Sequence, residues 1–188
     1  MIIDFRTKHK VIPEPVLIND SIVERVTEYK YLGVVIDNDL KWHEHVAYVE
    51  KRLKPRLYCL RKLNSFSVSQ NILATFYSSI LSSVWTYCLI CWAGNTDKSH
   101  IKVLDDIIKR VGRILGENLP SVYTVYLKHA GVKLQSIWND SSHPLYDQLS
   151  SRIIKRSGRL RSLVSHTNRY QSSFIGTAIA IHNKNFTR

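Results

Sequence analysis

The stretch that decides the fold is residues 42–63, WHEHVAYVEKRLKPRLYCLRKL. Its apolar residues recur every three or four positions, which is the period of a helix with one buried face. We expect that face to consist of Trp42, Val46, Val49, Leu53, Leu57 and Leu60. Asp39 stands in the region where such a helix is capped. Pro55 interrupts the pattern and predicts a kink or a break near Lys54.

The residues ahead of this helix favour β-strands. Met1–Phe5 is a short apolar run, and residues 16–18 and 22–26 are two further runs separated by a turn signal, as in a hairpin. Residues 29–36 are rich in aromatic and β-branched side chains and predict another strand. Gly33 within that strand indicates a bulge or a close backbone approach.

A second helix is predicted over residues 68–92, with Ser67 as its cap. Its apolar face is expected to consist of Leu73, Phe76, Ile80, Val84 and Cys88. Residues 72–92 carry no charge, so a membrane-spanning helix is an alternative. A stripe of serine and threonine on the opposite face favours a helix inside a bundle, and we therefore expect no membrane partner.

Two more helices are predicted beyond this segment. One runs from Asp97 to Leu115 and ends at Gly116, and the next follows Pro120-Ser121. Residues 150–170 look irregular, and residues 171–183 have the pattern of a last short helix.

Together these elements predict an α+β fold, in which a small N-terminal β-hairpin or sheet precedes a mostly helical bundle and an irregular basic C-terminal tail. We expect three regions: residues 1–41 with strands, 42–138 as the helical bundle, and 139–188 as the tail.

The charge of the chain is unevenly placed. The net charge is +12, and no acidic residue follows Asp147, whereas eight lysines and arginines do. A second cluster lies in the first helix, at Lys51, Arg52, Lys54, Arg56, Arg61 and Lys62. Clusters of one sign favour a nucleic-acid partner, and a solvated basic surface without a partner is the alternative.

The three cysteines and the lack of a secretion signal predict an intracellular protein, nuclear or cytoplasmic. The chain has no His-x-Asp string of an iron oxygenase and no glycine-rich phosphate or dinucleotide loop. We therefore expect no cofactor, no metal and no small-molecule substrate.

Three further groups of residues, of cysteine, histidine and aspartate, each support a specific prediction. Cys88 and Cys91 form one Cys-x-x-Cys without a second ligand pair, which predicts two core cysteines one turn apart. His43 and His45 diverge on a helix and are expected at the surface. Asp105-Asp106 falls in a strongly helical pattern and predicts two solvated helix aspartates, not a catalytic pair on a hairpin.

Short strings along nearly the whole chain resemble the carboxyl-terminal part of reverse transcriptases from non-LTR, LINE-type retrotransposons. They are Tyr29-Lys30-Tyr31-Leu32-Gly33-Val34, Arg56-Leu57-Tyr58 with Leu60-Arg61-Lys62-Leu63, Thr86-Tyr87-Cys88 with Cys91-Trp92, Ser142-His143-Pro144-Leu145-Tyr146, Ser157-Gly158-Arg159, Thr167-Asn168-Arg169-Tyr170 and Thr177-Ala178-Ile179. The strand and turn at 29–34 resemble those that follow the family's catalytic hairpin, and 56–63 resembles the first thumb helix.

The resemblance implies a segment that binds nucleic acid, RNA or an RNA–DNA duplex, and that is not itself an enzyme. The family's aromatic-x-Asp-Asp motif would lie upstream of Asp4. The expected contacts with nucleic acid are Lys51, Arg52, Lys54, Arg56, Tyr58, Arg61, Lys62, Arg159, Arg161 and Arg169.

Residues 22–63 are also similar to a short module named after the amino-terminal segment of an AlkB-type RNA-modifying protein. That similarity implies an alternative function, a 2-oxoglutarate-dependent oxygenase or methyltransferase activity on nucleic acid, although this chain lacks the residues for it.

Overall fold

A computed structural model describes residues 1–3, 14–162, 164 and 168–184. The architecture is α+β, as predicted: two small antiparallel sheets of two strands each precede a series of helices. Of the strand predicted over Met1–Phe5, Met1, Ile2 and Ile3 are described and are not in a strand, and the last two positions lie outside the described residues.

Each small sheet is a β-hairpin. β1 (Leu17–Ile18) pairs with β2 (Ser21–Ile22) as predicted. β3 (Glu28–Tyr31) pairs with β4 (Val34–Asp37), so the single strand predicted over 29–36 is wrong. Leu32 and Gly33 both have positive φ, at 46° and 84°. Two such residues form the tight turn that matches the twist of paired strands, and Gly33 adopts this conformation without strain.

Helix α1 (His43–Ser65) runs uninterrupted through Pro55, so no break occurs there. Its predicted face is confirmed, because Val46, Val49, Leu53, Leu57 and Leu60 are all buried. The start of the helix is held by Asp37, whose Oδ2 accepts a hydrogen bond from the Trp42 backbone N–H at 2.8 Å. Asp39, the predicted cap, instead binds the next residue but one, Lys41.

The second predicted helix is irregular. It consists of α2 (Gln70–Phe76), a π-helical turn (Tyr77–Ser82), α3 (Ser83–Thr86) and α4 (Leu89–Trp92). It begins after Ser69, so Ser67 is not its cap, and the chain is extended at Tyr87 and left-handed at Cys88. This segment has the length and composition of a membrane span.

The predicted face of this segment is confirmed only in part: Leu73 is buried as predicted, and Phe76 and Val84 are half-buried against the core. The residues buried in the core are Leu73, Leu81, Trp85, Leu89 and Trp92, whereas Ile80 and Cys88 are exposed. The wide turn of the π-helix adds a residue between Leu73 and Trp85, which rotates every later side chain away from the face expected for a regular helix.

Helices α5 (Lys98–Leu115) and α6 (Val122–Trp138) complete the main core. α5 packs along α1 and ends at Gly116 in the left-handed conformation, as predicted. The hydroxyl of Ser121 accepts a hydrogen bond from the Thr124 N–H at 3.2 Å and caps α6.

The C-terminal part is more regular than predicted. It contains α7 (Tyr146–Ser150), a bridge between Ile153 and Leu160, α8 (Asn168–Gln171) and α9 (Phe174–Lys184). A second apolar cluster joins it to the end of α6 and consists of Leu134, Ile137, Leu149, Leu160, Ala178 and Ile179. The apolar contacts thus cross the region boundary expected at residue 138.

Candidate nucleic-acid interface

Helix α1 presents its cations on two different sides of its buried face. Consecutive helix residues differ in direction by about 100°. Around the axis, the buried face lies between two groups. The outer face consists of Lys51, Lys54, Tyr58, Arg61 and Lys62, and the hairpin side consists of Arg52 and Arg56. The predicted basic cluster is therefore two groups of cations on one helix.

All five side chains of the outer face are exposed to solvent. Lys54 pairs with Glu50 at 2.9 Å, and the Lys62 ammonium lies 5.9 Å from the centre of the Tyr58 ring. Within the described part of the chain, Lys51 and Arg61 make no hydrogen bond or ion pair. Two cations are thus unengaged, and a third is held only by an exposed ion pair of small stability.

The hairpin side is organised around Tyr48. The Lys30 ammonium of β3 lies 4.7 Å from the centre of the Tyr48 ring, and Arg52 Nη1 donates to the Tyr48 hydroxyl at 3.3 Å. The adjacent Lys30 ammonium is the main cause of a lowered pKa of Tyr48; partial burial opposes this shift, and the charge of Arg52 adds to it. Arg56 donates to the backbone oxygen of Arg52 at 2.5 Å.

Lys30 and Tyr48 were not predicted as part of a site. Tyr48 stands four residues before Arg52, and this helical spacing was a usable signal. Nothing local in the sequence brings Lys30 to the helix, because that contact depends on how the hairpin of β3 and β4 folds back.

The three predicted arginines of the C-terminal part lie in other places. Arg159 and Arg161 are exposed on either side of buried Leu160, within the second apolar cluster. Arg169 donates from Nη2 to the backbone oxygen of Asp39, 2.5 Å away, in the loop before α1. Arg169 therefore lies next to the start of α1. Arg159 and Arg161 flank Leu160, which packs against α9.

Two of the strings that carry the sequence resemblance contact each other, and a third is bonded to α6. The Tyr87 hydroxyl donates to the Leu32 backbone oxygen at 2.8 Å, and the Tyr87 ring lies beside Gly33, where a Cβ would be at ordinary van der Waals distance from it. The Tyr126 hydroxyl donates to Thr177 Oγ1 at 2.9 Å and ties α6 to α9. These residues hold the hairpin and the C-terminal helix in place.

The cysteine prediction is wrong, because Cys88 and Cys91 are both exposed. The chain breaks its helix at Cys88, so the two thiols do not share the buried face of a continuous helix. Partial burial, followed by the nearby Cys88, raises the pKa of the Cys91 thiol.

The surface prediction is also wrong for His45. Its side chain is buried, and its Nδ1 accepts a hydrogen bond from the Val35 N–H of β4 at 3.2 Å. The ring packs edge-on against Trp92 with centroids 5.2 Å apart. Burial lowers the pKa of His45 to about 4, so the ring is neutral at physiological pH. His43 is half-exposed.

Asp105 and Asp106 differ from the expected pair of solvated aspartates. Both are half-buried, and Asp105 Oδ1 accepts a hydrogen bond from the Val122 N–H at the start of α6, at 2.8 Å. Asp106 lies 3.9 Å from the Lys109 ammonium. Both carboxylates lie in helix α5, as predicted, and Asp105 has a structural role.

Comparison with curated proteins relates most of this chain to a segment of a transposon-encoded reverse transcriptase, which confirms the resemblance seen in the sequence. The relative is the probable RNA-directed DNA polymerase from transposon X-element of Drosophila melanogaster. It is 30% identical over 162 residues, which cover 84% of this chain. The match spans 17% of the relative's own length. No protein-family model and no solved structure matches the chain.

Proposed function

We propose that this chain is a nucleic-acid-binding, thumb-like segment of a reverse transcriptase and that it contacts the phosphate backbone through the outer face of α1. The observation that carries the proposal is that this exposed face belongs to a helix packed firmly into the core. Its cations project from a helix whose opposite side is locked in the core by Leu53, Leu57 and Leu60.

The chemistry of the outer face suits phosphates more than base edges. Lysines act as point charges on phosphate oxygens, and such contacts position a protein on a duplex without reading its sequence. Exposed Tyr58 adds a ring that is able to stack on an unpaired base. The hairpin side is the less available of the two groups, because Arg52 and Arg56 are engaged with Tyr48 and with the helix backbone.

Polymerisation is not part of the proposed role of this segment. Nucleotide addition requires carboxylates that hold two divalent ions about 4 Å apart. Asp105 is occupied at the start of α6, and its neighbour points about 100° away on the same helix. We expect no primer extension by the purified chain with magnesium or manganese.

The test is the binding of a short RNA–DNA duplex, measured by fluorescence anisotropy at several salt concentrations. Each phosphate contact contributes a slope of about −0.9 to the dependence of log K on log salt for a B-form DNA duplex. Lys51→Gln/Arg61→Gln/Lys62→Gln should therefore weaken binding and reduce the slope by about 2 to 3.

The matched control is Lys102→Gln/Lys109→Gln/Lys128→Gln, which removes the same charge from exposed positions of α5 and α6. If both triple variants lose affinity equally, binding depends on net charge alone and the proposed face is wrong. Salt-independent binding by the unmodified chain would also contradict the proposal.

Two other functions are separable by experiment. The AlkB-associated activity requires iron, and iron- and 2-oxoglutarate-dependent demethylation of a methylated oligonucleotide would establish it. A membrane role for residues 70–92 is opposed by the placement of Leu73, Leu81 and Trp85 in one core with α1 and α5. Recovery of the chain in the soluble fraction without detergent is the result we expect.

A further inference from the structure

The starts of α1 and α5 bring together three side chains that have the chemistry of metal ligands. They are His43, the first residue of α1, and Asp97 and His100, at the start of α5. One ligand atom from each of the three lies within 4.8 Å of the others. The packing of α1 against α5 sets this arrangement, so it is not a local effect of one turn.

The geometry of the cluster is closely defined. His43 Nε2 and Asp97 Oδ2 are 2.9 Å apart. The rings of His43 and His100 are stacked, with centroids 3.9 Å apart and an angle of 11° between their planes. Because each nitrogen lone pair lies in the plane of its own ring, binding of a common ion would turn the two rings out of this parallel stack.

The orientation of Asp97 also needs an explanation. An aspartate at a helix N-cap normally accepts a hydrogen bond from a backbone N–H of the first turn. Asp97 occupies the N-cap of α5 and makes no such side-chain bond. Its carboxylate is turned to His43 on the neighbouring helix, toward the centre of the cluster.

We propose that His43, Asp97 and His100 bind a divalent transition-metal ion, with zinc as the ion that this ligand set fits best. Neutral imidazoles and a carboxylate are ordinary zinc ligands, and three protein ligands leave one position for water. The carboxylate of Asp97 would balance part of the charge of the ion. The half-exposed histidines and exposed Asp97 leave the site open to ions from solution.

This candidate metal site shares no residue with the outer face of α1. Binding of a metal there would join the start of α1 to the start of α5 by coordination, where the apo structure has one hydrogen bond and a ring stack. The result is a stronger link between two helices of the core, and the thermal midpoint of the full chain should rise when zinc is added.

The experiment is titration of the purified full chain with zinc by calorimetry, and with cobalt by absorption spectroscopy. We expect one ion per chain. His43→Ala and His100→Ala should each weaken zinc binding at least tenfold, and Asp97→Asn should weaken it measurably. His129→Ala, a histidine on α6, is the control and should bind as the unmodified chain does.

The exposed thiols of Cys88 and Cys91 are the competing ligands. The variant Cys88→Ser/Cys91→Ser should retain full binding, and cobalt should show no sulfur-to-metal charge-transfer band. Circular dichroism without metal checks that the histidine variants fold. The proposal is overturned if the unmodified chain binds neither ion, if His43→Ala/His100→Ala binds as tightly, or if the cysteine variant loses the site.

Discussion

Helix α1 and the segment 70–92 are both long and amphipathic in sequence, but only the first has the face that its period predicts. In α1 the apolar residues are three or four positions apart, which follows the α-helical period, and all the predicted positions are buried. In the second segment, Leu73, Leu81, Trp85 and Leu89 are multiples of four apart. In a regular α-helix, side chains four positions apart drift gradually around the axis and leave a common face. The π-helical turn has more residues per turn and brings these side chains back to one face.

The hydroxyl groups of the second segment explain why its outer side tolerates this distortion. Thr75, Ser78, Ser83 and Thr86 each donate to a backbone oxygen three or four residues earlier. These bonds satisfy oxygens where the regular hydrogen-bond pattern changes. The stripe of serine and threonine, which in the sequence favoured a helix inside a bundle, is therefore partly a local support for the backbone.

The largest expected effect tests which face of the irregular segment is buried. Leu81→Ala should destabilise the chain by about 2–5 kcal/mol, because it leaves a cavity in the main core. Its neighbour Ile80 is 41% exposed, and Ile80→Ala should cost less than about 1 kcal/mol. Urea denaturation of both variants measures the difference. Equal costs for the two variants would indicate that the segment is a regular helix that buries the predicted face.

The next effect concerns His45, where the two regions meet. The folded pKa of about 4 lies below the ordinary value of 6.5, so the unfolded chain takes up the proton first as the pH falls. The contribution of His45 to stability is complete above about pH 6.5 and is lost toward pH 4, by about 3 kcal/mol in total.

Denaturation midpoints between pH 7 and pH 4 test this prediction, with His45→Gln compared with the unmodified chain. The variant should lose less stability over this interval, and the comparison removes the contribution of the carboxylates. A parallel pH dependence in the two proteins would mean that His45 is accessible to protons in the folded state.

Pro55 tests the regularity of α1. A proline inside a helix removes one hydrogen bond and crowds the preceding turn, at a cost of about 3 kcal/mol. Pro55→Ala should therefore stabilise the chain by about 1–3 kcal/mol, reduced by the greater freedom of the unfolded alanine chain. Thermal denaturation measures the shift. A loss of stability would show that the proline adapts α1 to its neighbours.

The smallest effect separates the adjacent aspartates of α5. Asp105→Ala removes the acceptor for the Val122 N–H and should cost about 1–2 kcal/mol. This cost is larger than that of removing an exposed aspartate. The sequence pattern alone predicts an exposed aspartate and therefore the smaller cost. Asp106→Ala should cost less than about 0.5 kcal/mol. The same urea series measures both, and equal values would contradict the capping role.

Local signals in the sequence determined the regular parts of this protein. The α+β class, α1, α5 with Gly116, and α6 with its Ser121 cap all follow from periodicity and capping, which depend on neighbours within a few residues. The resemblance to reverse transcriptases was equally accessible, because short strings in a fixed order are a property of the sequence. The relative from transposon X-element agrees with it.

The tertiary structure decided which side chains that are distant in sequence contact each other. It buried His45 against Trp92, turned Asp105 to α6, and brought His43 to Asp97, 54 positions along the chain. None of these contacts has a local pattern, since each depends on the angle and register at which two elements pack. That register is set by the whole core, including one π-helical turn, and a single period along the chain does not contain it.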